Sequence, residues 1–134
     1  MANEAVWIET PTKIKRYTVL DATAIPYGTL LELSGGSVNS ARASQNSTGA
    51  AFAGIAIEEK TASDGITEIG AAIDGAADLT VGGVAVTIGT IVCLSGANTI
   101  RACAAGDLLT GAAFGKVLEA GVANGTHRIR LGLV

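Results

Sequence analysis

The stretch YGTLLELSGG, Tyr27–Gly36, decides the fold because it returns as IGTIVCLSGA at Ile88–Ala97, 61 positions later. Each copy reads Gly-Thr, two aliphatic residues, one variable residue, then Leu-Ser-Gly. A catalytic motif rarely needs a second copy, whereas a structural unit often does. The match extends outward, with Ile25–Gly36 aligning on Val86–Ala97. Further on, GAAF at Gly49–Phe52 aligns with GAAF at Gly111–Phe114, now at an offset of 62. Each GAAF leads into an apolar segment ending in Glu58 or Glu119, then a Gly-containing turn and a closing strand. A meander of about four strands cannot bury its apolar face alone, but two such halves can. The expected fold is therefore all-β: a single-domain antiparallel β-barrel or β-sandwich with pseudo-duplicated halves at about 25–73 and 86–133.

Local signals agree. Short aliphatic runs alternate with turn dipeptides, among them Asp64-Gly65, Asp74-Gly75 and Asn124-Gly125. The glycine of each Gly-Thr fits a tight bend, and Leu-Ser-Gly fits a strand-ending turn with positive φ. Expected strands include Thr29–Leu33, 38–43, Ala50–Glu58, Ile66–Ala72, Leu79–Val81, Val84–Ile88, Thr90–Leu94, Thr99–Cys103, Phe114–Glu119 and 126–133. Ala-rich segments at 106–114 and 71–79 tempt a helix assignment, but frequent glycines weigh against it. Glu32 in the first copy stands where Cys93 stands in the second. If the strands are equivalent, position 32 faces water or a partner and position 93 is covered.

Composition narrows the function. Glycine supplies 18 of 134 residues and charged residues only 16%, a smooth, charge-poor chain suited to close β-packing and to burial against partners. A net charge of −3 gives no footprint for nucleic acid. The uncharged run 79–100 is broken by Gly82, Gly83, Gly89 and Gly96, so it reads as strands and turns rather than a membrane helix. The opening residues, with Glu4 and Glu9, lack the apolar run of a signal peptide. Asn46-Ser47-Thr48 and Asn124-Gly125-Thr126 match the glycosylation pattern but read as turns. A hairpin around Gly96-Ala97 sets Cys93 opposite Ile100, so reduced thiols are expected rather than a disulfide to Cys103.

Catalysis finds no motif. His127, the one histidine, is expected on the polar face of the last strand. GAAFGK at Gly111–Lys116 has the wrong spacing for a phosphate loop, and Val117 stands where a hydroxyl is needed. No enzyme activity, metal or cofactor is expected. Residues 1–17 read as an N-terminal arm and 18–134 as the barrel or sandwich domain. In the arm, Trp7 and Ile8 are candidate apolar anchors for a partner. Lys13, Lys15 and Arg16 are a candidate basic rim, followed by Tyr17.

The order of these motifs resembles the capsid cement, or head decoration, proteins of tailed bacteriophages. The stretches that carry the resemblance are Gly54–Glu58, Gly75–Leu79, Gly89–Leu94, Gly115–Ala120 and the closing Arg128–Leu131. It spans roughly residues 17–134 and leaves the first 17 unmatched. The resemblance implies a structural protein made in the host cytoplasm that binds the outer surface of an assembled capsid. Its partner would be the major capsid protein, and it would assemble as a homo-oligomer, a trimer or a dimer. The alternative is a β-sandwich module of a phage tail or fibre that binds carbohydrate or peptide. That role would need exposed aromatics among Trp7, Tyr17, Tyr27, Phe52 and Phe114.

Overall fold

The computed structural model describes residues 3–34, 40–43, 50–104, 106–107 and 111–132. The chain is all-β, as expected, with eleven strands among the described residues in two sheets. The strands are β1 (Val6–Glu9), β2 (Ile14–Thr18), β3 (Leu30–Leu33), β4 (Ala41–Ala43), β5 (Phe52–Ala56) and β6 (Glu68–Ala72). They continue as β7 (Ala76–Val81), β8 (Ile91–Gly96), β9 (Thr99–Ala102), β10 (Ala113–Glu119) and β11 (Thr126–Leu131). One sheet runs β2-β6-β5-β3-β4 and the other β1-β7-β11-β10-β8-β9. Without β1, the two orders are the same once β2 to β6 are matched with β7 to β11.

The duplication extends to individual hydrogen bonds. Leu30↔Ile55 and Leu31↔Gly54 pair as Ile91↔Lys116 and Val92↔Gly115 do, and both ladders bulge one residue later. Gly28 and Gly89 both hold φ at +86°. Gly28 donates to Ala56 O at 2.8 Å and Gly89 donates to Val117 O at 2.8 Å. A Cβ disfavours this left-handed conformation, so the tight bend expected of Gly-Thr is made here by a positive φ that was expected at Leu-Ser-Gly. The second Leu-Ser-Gly behaves differently: Ser95 and Gly96 stay in β8, and the positive φ of 53° falls on Asn98. The first copy's Gly35 and Gly36 lie outside the described residues, as does the polar loop 44–48.

Each half closes largely on itself, rather than the two closing one barrel between them. β7 pairs in parallel with β9 through Thr80↔Thr99 and Val81↔Ile100, which joins the ends of the ring β7-β11-β10-β8-β9. The equivalent contact in the first half is a single parallel bridge, Thr18↔Ser40. Two small five-stranded barrels result, each with its own core. The first core holds Tyr17, Val19, Ile25, Leu31, Ala41, Ala53, Ala56, Ile69 and Ala71. Their counterparts in the second are Leu79, Val81, Val86, Val92, Ile100, Phe114, Val117, His127 and Ile129, all buried. Leu30 and Ile55 face away from the first core and join the second, so a shared apolar seam makes the two barrels one unit. Asn98, fully buried, accepts from Leu30 N–H across that seam at 2.9 Å.

The GAAF alignment slips by one residue in space. Strand pairing matches Gly54 with Gly115, and hence Ala53, not Phe52, with Phe114. Phe52 instead lies on the outside of its own barrel and stacks on Phe114, ring centroids 3.9 Å apart and 13° from parallel.

The arm boundary also moves. β2 pairs along its whole length with β6 and is the counterpart of β7, so the repeat starts near residue 14 rather than 25. Only β1 has no counterpart. It leaves the first barrel's side and pairs with β7 of the second, strapping the two together. Of the tempting helical segments, 71–79 is β6, a turn at Asp74-Gly75 and β7; 106–114 is only partly described. Residues 84–88 form no strand.

One glycine pair tests the local geometry. A Cβ on Gly28 would meet Ala5 O at 2.8 Å, whereas one on Gly89 meets nothing within 4 Å. Gly28→Ala is expected to cost about 2 kcal/mol and Gly89→Ala about 1 kcal/mol by urea denaturation, because only the first adds a clash to the strain. Equal losses would mean that Ala5 yields freely.

Candidate functional site: apolar barrel ends and a thiol–carboxylate cluster

The candidate contact residues of the first 17 do not form one surface. Trp7 is half-buried and packs on the second core, while Ile8 next to it is exposed. Lys13 and Lys15 are exposed, and Lys15 sits 5.8 Å from the Tyr17 ring centroid. Arg16 is held by Glu68 at 2.6 Å and Glu58 at 3.1 Å. Tyr17 is buried in the first core and donates its hydroxyl proton to Ala53 O at 2.7 Å, so it is not available to a partner.

Large exposed apolar side chains also stand at the loops joining equivalent strands: Leu20, Tyr27 and Ile66 on the first barrel, and Val84, Ile88 and Val122 on the second, with Leu118 near the end of β10. Val6, Ile8, Ile14 and Leu33 are exposed as well. Tyr27 and Ile88 occupy the same place in the repeat, directly before the left-handed glycine. In the sequence Tyr27 stands out only as an aromatic and Ile88 not at all, because each is a single apolar residue beside a turn. Only the fold shows that both barrels expose one there.

Glu32 overturns the expectation drawn from its alignment with Cys93. It is 2% exposed and pairs with Arg42 at 2.9 Å. Both members of this mismatch are therefore buried. In the second barrel Arg101 stands in the place of Arg42, opposite Cys93, and its carboxylate comes from Asp107 at 3.1 Å. The acid has moved from the strand to the turn after β9, and a thiol fills the vacated position. Cys103 continues the same face of the chain two residues past Arg101, so Cys93 and Cys103 meet, contrary to the register expected from Gly96-Ala97. Their sulfurs and an Asp107 oxygen lie within 4.8 Å of one another. The Cys93 thiol donates to Asp107 Oδ2 at 3.5 Å. Both cysteines are free, and burial raises both thiols, Cys93 well above the usual range. The Asp107 carboxyl is held below its usual range by the Ala104 N–H and by Arg101.

His127 is not on a polar face. It is 1% exposed and shares the inward face of β11 with Ile129 and Leu131. Its Nε2 accepts from Val86 N–H at 3.3 Å, which assigns the proton to Nδ1, an atom with no partner among the described residues. In the first barrel the equivalent N–H, that of Ile25, donates to Lys60 O at 2.9 Å. The shorter connection 120–125 does not supply that carbonyl, and the imidazole takes its place. The histidine thus serves the barrel's own hydrogen bonding. Asn124, of the second glycosylation triplet, holds φ at 60° in the last hairpin turn.

Among the described residues Cys93, Cys103 and Asp107 are the one grouping of three potential metal ligands, and no helix is long and apolar enough to cross a membrane. No family model matches the chain, and no curated protein matches it.

Proposed function

We propose that the chain is a structural protein of a tailed-phage particle that binds the outside of the assembled capsid and bridges major capsid subunits. The observation that carries this reading is that both barrels expose an apolar side chain at the equivalent end, at the same repeat position, Tyr27 and Ile88. A single chain with two such ends can engage two neighbouring subunits, and two weak contacts on one rigid body gain effective concentration. Many copies then add interface area to a shell under internal pressure. The tail or fibre sugar-binding alternative has less support. Tyr17 and Phe114 are buried, Phe52 is stacked within the seam and Trp7 packs half-buried on the second core, which leaves Tyr27 as the exposed ring.

Co-sedimentation with assembled capsids lacking the protein tests the proposal. Saturable binding that raises the temperature of capsid disruption is the expected result. Tyr27→Ser and Ile88→Ser should each weaken binding, and together by at least roughly 10-fold, while the melting temperature of the free protein stays nearly constant. A protein that leaves capsids in the supernatant at every concentration would overturn the reading, and clear hits on a glycan array would favour the alternative.

A further inference from the structure

We propose that Cys93, Cys103 and Asp107 form a site for one thiophilic divalent cation, zinc or cadmium. Three ligand atoms within 4.8 Å of one another match the reach of a single tetrahedral ion. Two thiolates at the usual zinc–sulfur length of roughly 2.3 Å lie roughly 3.8 Å apart. The fourth position falls to water, the arrangement of zinc sites with three protein ligands.

The surroundings suit a metal. Cys93 is fully buried, and the Asp107 side chain is 10% exposed. Cys103 is half-buried, which gives an ion a way in. The ligands come from β8, from the residue after β9, and from the turn that follows. One ion would therefore tie the β8–β9 hairpin to the connection leading into β10. Charge also balances. Two thiols give up their protons to solvent on binding. Two thiolates and one carboxylate then meet a doubly charged ion, and the Arg101 guanidinium cancels the remaining negative charge. Arg101 also donates to Ala102 O at 3.1 Å, so it stays beside the site when Asp107 turns toward the ion. The first barrel offers the contrast: at the same place it keeps Glu32 on Arg42 at 2.9 Å and no thiol on that strand. The second barrel keeps the guanidinium, moves the acid to the turn and places two sulfurs around it.

The test is titration of the reduced full-length chain with cadmium, followed by thiolate-to-metal charge-transfer absorption and by proton release. One equivalent should saturate the band and release two protons. Zinc should compete for the same site. A concentration about a hundredfold above Kd should raise the melting temperature by roughly 5–10 °C. Cys103→Ser should abolish the band, and Asp107→Asn should weaken binding by roughly 10–100-fold. Melting in the presence of a chelator separates loss of ligand from loss of fold: Cys103→Ser should then melt like the parent chain. The proposal is overturned if no charge-transfer band appears, or if the band survives Cys103→Ser. It is equally overturned if the thiols close to an intramolecular disulfide under mild oxidation and excess zinc gives no protection.

Discussion

Phe114→Ala is expected to lower the free energy of unfolding by about 3–5 kcal/mol, measured by urea denaturation. The ring is 2% exposed, and it both fills the second core and carries the stack with Phe52. The first barrel already has alanine at this position, Ala53, and tolerates it. There the missing volume is filled from the facing strand by Tyr17, whose hydroxyl donates to Ala53 O. The counterpart of Tyr17 is Leu79, which lacks the ring needed to fill the space. A cavity therefore remains when Phe114 is truncated. Adding Leu79→Tyr to Phe114→Ala recreates the first barrel's pair and should recover at least about 1 kcal/mol. Phe52→Ala should cost less, since Phe52 is only partly buried. A double-mutant cycle between the two phenylalanines should show coupling of about 0.5–1.5 kcal/mol. Strict additivity would mean that the stack does not join the barrels.

This pair also shows what the sequence made legible. The Gly-Thr and Leu-Ser-Gly copies identified the repeat because glycine at a left-handed bend and aliphatics on a strand leave a mark at fixed spacing. The β-class, most strand positions and the hairpin at Asn124-Gly125 followed from the same signals. The repeated GAAF pointed to the wrong pairing, since two phenylalanines align more persuasively than the glycines after them. In space Gly54 and Gly115 hold equivalent ladder positions, and each phenylalanine serves a different face. The start of the repeat was hidden for a similar reason. Ile14–Thr18 and Ala76–Val81 share a place in the fold but almost no residues, because one is a charged outer strand with a buried tyrosine and the other an apolar strand between neighbours.

Buried polar groups were the least legible. Glu32, Lys60 and His127 are each at most 2% exposed, yet alternation and composition assign such residues to water. Each is buried because a specific partner, Arg42, a ring of oxygens, or the Val86 N–H, offsets its desolvation. Those partners come from other strands and leave no local pattern. The cysteine pair was obscured by a shift of one residue in the expected hairpin. A turn at 97–98 instead of 96–97 changes which side chains share a face.

Lys60 carries the second large effect. Its ammonium lies inside the long connection 57–67 and donates to Asp21 O at 2.6 Å, Thr61 O at 2.9 Å and Asp64 Oδ1 at 3.1 Å. Asp21 Oδ1 lies 3.4 Å away. This latch holds the connection against the loop after β2, where Lys60 and Ile25 exchange main-chain hydrogen bonds. Lys60→Ala removes both the charge and the stem and is expected to cost about 3 kcal/mol. Lys60→Met restores the stem but leaves two carbonyls without their ammonium donor, so it should recover only part of the loss. Full recovery by methionine would mean that the stem alone matters. The latch also predicts an acid response. The Ile66 N–H, with Lys60 and Thr61, holds the Asp64 carboxyl down to about 2, below an unfolded value of about 3.9. A carboxyl depressed in the folded state contributes stability that is complete above the unfolded value and disappears as pH falls toward the folded one. Stability should therefore drop between about pH 5 and pH 2, and Asp64→Asn should flatten that acid limb. An unchanged acid limb in Asp64→Asn would assign the pH dependence to other carboxylates and reduce Lys60 to a packing residue.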